Sequence, residues 1–167
     1  CSNRRGSEYR SGSRNLKASR NCEGHSISMS DFIFSYTIRR QGELGRYIQS
    51  IYHADPPEVQ EFHGPWGSLA VSRNVYSGFQ VLENEQHVFV VVGGPVLYFR
   101  NNDFLTGSDP VVGTGAIYER WLSGKMKWDE DLSGPFAILA VDKARRQVTY
   151  ITDLLLSIPV YRYREGN

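Results

Sequence analysis

The chain has 167 residues, 40% of them hydrophobic and 22% charged, with a formal net charge of +1. That length suits one domain with or without a tail, and the near-balance of charge gives no reason to expect a nucleic-acid or acidic-membrane partner. The longest apolar run, Val88 to Val92, is far short of the ~20 residues of a membrane helix, and two cysteines, Cys1 and Cys22, make no disulfide framework.

The averages hide a boundary near Met29. Residues 1–28 hold six basic side chains (Arg4, Arg5, Arg10, Arg14, Lys17, Arg20) against Glu8 and Glu23. They carry +4, so the remainder carries −3 of the +1 total. Their apolar residues are sparse and aperiodic, which predicts a disordered basic tail. A tag or translated upstream sequence, a polyanion-binding arm and a transit peptide all fit that composition. Met29 reads as a natural start.

In the body, Asp31 to Ile38 is rich in Phe, Ile and Tyr and predicts a strand. Glu43 to Tyr52 places Leu44, Tyr47, Ile48 and Ile51 at helical spacing. Asp55-Pro56-Pro57 stops that helix. Gly67–Val71 and Gly78–Leu82 predict short strands, with Asn74 and Gly78 as turn residues. His87–Val92 predicts a central strand closed by Gly93-Gly94-Pro95, and Val96–Phe99 extends it or starts another. Arg100–Pro110 is turn-rich. Thr114–Lys125 predicts a helix with a narrow apolar stripe of Ile117, Trp121 and Leu122. Asp129-Glu130-Asp131 reads as a solvated acidic loop. Gly134–Val141 and Gln147–Thr152 predict a hairpin around a charged turn, and Ile158–Tyr163 a last short strand. The order implies an α+β protein with mostly antiparallel sheets, not a regular βαβ alternation.

Motif tests for chemistry are negative. There is no phosphate loop ending in Lys-Ser/Thr and no Gly-x-Ser-x-Gly elbow. His25, His53, His63 and His87 are dispersed, with no cysteine at metal-ligand spacing. The aromatics do not interleave with basic residues as a nucleic-acid platform would require.

The segment Leu132-Ser133-Gly134-Pro135-Phe136-Ala137, with Asp142, a basic turn, Ile151-Thr152-Asp153 and Pro159-Val160-Tyr161, resembles the hairpin of the glutaminase domain in the asparagine-synthetase family. Those are class II glutamine amidotransferases. His53-Ala54-Asp55-Pro56 falls where that family has a His-Arg-Gly-Pro turn. Leu69 to Arg73 resembles the strand carrying its glutamine-carboxylate arginine, here Arg73. The resemblance implies a four-layer α/β/β/α sandwich of N-terminal-nucleophile type over residues 29–167, ending where the family continues with another strand.

The departures from the family bear on chemistry. Its nucleophile is an N-terminal cysteine whose own amine is the base, and the residue after Met29 is Ser30. The oxyanion Asn is replaced by Gly93, leaving Gly94 as the backbone donor. The following Glu is Pro95, and the amine-holding Asp is Gly113. Loss of one oxyanion donor typically costs ~10²–10³ in rate, so glutamine hydrolysis is not expected. The resemblance then implies a non-catalytic domain of an ATP-dependent enzyme forming amides or lactams, as in β-lactam synthetase relatives. No cofactor is expected in this chain. ATP and Mg are expected only in a downstream ATP-pyrophosphatase synthetase domain, the main partner; a homodimer is also possible, and the cytoplasm is the expected location. The alternatives are an active amidohydrolase using Ser30 once the preceding residues are removed, and a stand-alone binding domain. Cys1, though N-terminal, lacks the Gly-apolar strand a nucleophile would need.

Overall fold

A computed structural model describes residues 30–53, 55–103 and 109–163. The tail, with Cys1, Cys22 and His25, lies outside the described residues, as do Met29 and Ala54. The fold is mixed α+β with three helices and nine strands among the described residues. Every strand pair there is antiparallel.

The first sheet has the order β1-β3-β2. β1 is Phe32–Ser35, β2 is Val59–Gly64 and β3 is Gly67–Ser72. β3 is buried throughout. Its alternation sends Leu69 and Val71 to one face and Ala70 to the other. Helix α1, Glu43–Ser50, lays Leu44 and Ile48 on the Ala70 face. β1 is shorter than expected, with Tyr36 and Ile38 exposed. Tyr47 and Ile51 also point to solvent, because a helix of two turns on a three-stranded sheet buries only one narrow stripe.

The second sheet has the order β4-β5-β8-β9. β4 is Leu82–Glu83, β5 is His87–Gly93, β8 is Phe136–Asp142 and β9 is Gln147–Thr152. β5 and β8 are central and almost wholly buried. Val88, Val90, Val92, Ala137, Leu139 and Val141 pack against Leu69 and Val71 of the first sheet. Phe89, Val91, Phe136, Ile138 and Ala140 face helix α2, Val112–Leu122, through Ile117 and Tyr118. That two-sided burial is why both strands read as continuous apolar runs.

The strand expected over Gly78–Leu82 reduces to β4, because residues 78–80 instead receive the start of α2. Gly113 N and Thr114 N donate to Gly78 O at 2.8 and 3.0 Å, and Thr114 Oγ1 donates to Gln80 O at 2.8 Å. Val96 and Leu97 form β6, which pairs with β7 (Leu132–Ser133) in a separate two-stranded sheet. The acidic triplet is solvated at Asp129 and Glu130 but is not a loop. It forms most of α3, Trp128–Asp131, and Asp131 is buried. Arg120 donates to Asp131 from Nε at 2.6 Å and from a terminal nitrogen at 2.8 Å, and Lys127 N adds a third bond at 2.8 Å. These donors, the Arg120 guanidinium first, hold the Asp131 carboxyl below its usual range. The strand expected at Ile158–Tyr163 does not form. Only Ile158 is buried there.

Candidate functional site

The three residues singled out by sequence, Ser30, Arg73 and Gly94, come to one end of the two facing sheets. The link is a continuous set of hydrogen bonds. Asp31 N donates to Ser72 Oγ at 2.7 Å, and Ser72 N donates to Asp31 O at 2.9 Å. That ties the residue after Ser30 to the residue before Arg73. Asn74 follows, and its Nδ2 donates to Val91 O and Gly93 O, each at 2.8 Å. Asn74 thereby ties the exit of β3 to the end of β5, where Gly94 lies. Its Oδ1 accepts from Tyr76 N at 2.9 Å, closing an Asx turn.

Proximity has not made a shared pocket. Ser30 is 4% exposed, and its Oγ has no hydrogen-bond partner among the described residues. Its nitrogen is an internal peptide nitrogen, since Met29 precedes it. Arg73 points outward. Its side chain is 71% exposed and meets Glu58 at 3.9 Å, a pair of the exposed kind worth about 0–1 kcal/mol. Glu58 and Arg73 sit on an open cleft of about 570 Å³, lined also by Pro57, Asn74, Ser77 and Gln80.

At Gly93 the backbone has φ +85°, and a Cβ would collide with the carbonyl oxygen of Pro135. No side chain fits without moving Pro135, the residue before β8, so an oxyanion Asn has no place there. At Gly94 the ring of Tyr76 lies over the Cα, with Cγ 2.6 Å from where a Cβ would stand. Gly113 is buried in the first turn of α2, its N–H spent on Gly78 O.

Sequence reading missed Asn74 as an anchor and Tyr76 as a cover. The first carries a local signal, an Asx-turn residue just after a strand; the second carries none, because its contact spans two loops.

A second polar cluster lies on the β2–β3 hairpin and α1. Ser68 Oγ is 2.8 Å from His63 Nδ1, and His63 Nε2 is 3.1 Å from Glu61 Oε2. Glu61 also accepts from Gly42 N and Gly45 N, each at 2.5 Å, at the start of α1. The order Ser-His-Glu invites a nucleophile reading, but Ser68 is fully buried and also accepts from Arg39 N at 2.7 Å. The cluster fastens α1 to the hairpin. Burial raises the Glu61 pKa, but the two glycine N–H groups and His63 outweigh it and hold it below the usual range.

Among the described residues, no group of three or more His, Cys, Asp or Glu is placed to hold a metal ion. No helix there is long and apolar enough to cross a membrane. Compared with protein-family models, curated proteins and solved structures, the chain matches none of them.

Proposed function

We propose that this chain is a non-catalytic glutaminase-like domain of an asparagine-synthetase-type enzyme, one that forms amides or lactams at the expense of ATP. The observation carrying the reading is Gly93. The position where the resemblance requires an oxyanion Asn is held at φ +85° against Pro135, so the donor is excluded by backbone shape as well as by residue type. Support for the fold half comes from packing. α1, the β1-β3-β2 sheet, the β4-β5-β8-β9 sheet and α2 bury their faces on one another in that order, the order of a four-layer α/β/β/α N-terminal-nucleophile sandwich. Arg73, turned to Glu58 and solvent, is in keeping with a lost glutamine pocket. In this reading ATP and Mg belong to a synthetase domain that partners this one.

The test is direct. The purified full chain is given L-glutamine and, separately, a diazo-ketone glutamine analogue. Neither ammonia release above background nor covalent labelling of residues 30–163 is expected. Release of ammonia, or label on Ser30, would overturn the reading.

One observation favours a second reading, an active amidohydrolase using Ser30. The Ser30 hydroxyl is buried and unpartnered among the described residues, and a serine freed at its own amine is a workable nucleophile. That reading requires a native chain beginning at Ser30, which mass spectrometry of the N-terminus detects.

A further inference from the structure

A different flank carries an inference that does not depend on the functional reading above. β9 is the last strand of its sheet and pairs only with β8 among the described residues. Its residues, Gln147-Val148-Thr149-Tyr150-Ile151-Thr152, include no charge and no proline, and its register with β8 runs without a bulge. Soluble proteins usually blunt such an edge with lysine, proline or a bulge. The first sheet ends on the same flank, since Phe32 of β1 stacks on Tyr150 of β9 at 6.2 Å.

The chain leaving β9 adds apolar surface to this flank. Leu154, Leu155 and Leu156 are 85, 87 and 63% exposed, and Tyr161 and Tyr163 are more than four-fifths exposed. The leucines are presented by a built turn. Asp153 Oδ1 accepts from Leu155 N at 2.9 Å and from Ser157 Oγ at 3.0 Å, and its Oδ2 accepts from Ser157 N at 3.1 Å. Leu156 adopts φ +52°, a conformation leucine rarely takes. Exposed leucines held by a satisfied acid and a strained backbone mark a surface that something covers.

Charge selects what covers it. From Ala144 to Tyr163 the charged residues are Arg145, Arg146, Arg162 and Asp153. The arginines are exposed, Arg145 with Asp142 3.7 Å from its guanidinium, and Asp153 is buried. This cationic strip lies on a body whose net charge is −3. A second copy would set one cationic strip against another. A lipid surface would leave the edge N–H and C=O groups of β9 unpaired. We propose that the β9 edge and residues 154–163 receive an extended polypeptide segment, apolar and acidic in alternation, as a further strand of the four-stranded sheet.

The experiment uses the full chain and two short synthetic peptides, one alternating valine with glutamate and threonine, the other with lysine replacing glutamate. Amide hydrogen exchange is followed at Gln147–Thr152. The acidic peptide is expected to slow exchange there by about tenfold or more at saturation. The effect should fade with added salt and disappear in the Arg145→Glu/Arg146→Glu variant, whose changes lie at exposed positions and whose exchange at Gln147–Thr152 without peptide should match the wild type's. Equal protection by the lysine peptide would overturn the proposal, as would protection by neither. Protection that grows with protein concentration alone would assign the flank to a second copy. Binding to phosphatidylserine vesicles without slowed exchange at β9 would assign it to lipid. Either outcome also overturns the proposal.

Discussion

The two ends of β5 have opposite character. At its start, His87 is buried among chemically capable groups. Its Nδ1 lies 3.0 Å from Tyr118 Oη, its Nε2 lies 4.0 Å from Asp142, and its ring meets Trp121 edge-on. Asn84 Nδ2 donates to the same Tyr118 oxygen at 2.9 Å. At its finish, where the family resemblance places glutamine chemistry, stand Gly93 and Gly94, with no side chains at all. The groups able to transfer protons are spent on holding α2 to the sheet. The end expected to carry chemistry is shaped for close backbone packing. Titratable residues inside a fold are evidence of function only when something can reach them.

The largest effects should come at the Gly93 end, where packing is tightest. Phe136 pairs in register with Gly93 and is 3% exposed. Phe136→Ala should cost ~3–5 kcal/mol, measured by urea denaturation. If it costs less than ~1 kcal/mol, that end is not the close-packed one. Next comes Gly93→Asn, which installs the residue type that the family it resembles has at that place. It should destabilise by about 3 kcal/mol through the strained φ and the collision with Pro135, and it should leave glutaminase activity absent. A variant as stable as the wild type would show that the backbone yields at Pro135.

At the other end, Tyr118→Phe removes one oxygen and leaves His87 Nδ1 and Asn84 Nδ2 without it. The expected loss is about 1–2 kcal/mol. The ring stays, so the edge contacts of Tyr118 with His87 and Phe89 survive. Tyr118→Leu should therefore cost more than Tyr118→Phe by a further measurable step. Equal losses would mean that the hydroxyl alone matters.

How much of this was legible follows from where the information lay. β5, β8, β9 and both long helices announced themselves, because burial on one or two faces writes itself into alternation and periodicity. β2 did not. Val-Gln-Glu-Phe-His-Gly carries three polar residues, and two of them, Glu61 and His63, are turned to the start of α1 and to Ser68, so no strand alternation shows. Asp131 was misread for a similar reason. Its partner Arg120 lies eleven residues away on another helix, and no local pattern shows that the acid is paired. Ile158–Tyr163 has strand composition and no strand, because pairing depends on a neighbour and composition does not. At the candidate site, the identities of Ser30, Arg73 and Gly94 were readable. The outward turn of Arg73, the cover of Tyr76 and the enforced glycine at position 93 were not, since each is a contact across long sequence separation.

The smallest expected effect is a slope. Asp153 lies at the Gly93 end of the second sheet, where its N–H donates to Phe136 O at 3.2 Å and its Oδ2 accepts from Phe136 N at 3.3 Å. Burial raises its pKa, but the donors Ser157, Leu155 and Phe136 outweigh that and hold the carboxyl below its usual value. Asp131 and Glu61 are lowered too. A carboxyl depressed in the folded state binds fewer protons there than in the unfolded chain. Its stabilisation is therefore complete above the ordinary carboxylate range and is lost as pH falls through the folded-state value. The urea midpoint should be level through neutral pH and decline on acidification below the ordinary carboxylate range. Asp153→Asn keeps an acceptor for the leucine turn but cannot ionise, so its decline should be shallower. A midpoint for Asp153→Asn that runs parallel to the wild type through the acid range would mean that Asp153 titrates as an ordinary surface acid, and the turn presenting Leu154, Leu155 and Leu156 would then owe its shape to neutral hydrogen bonds alone.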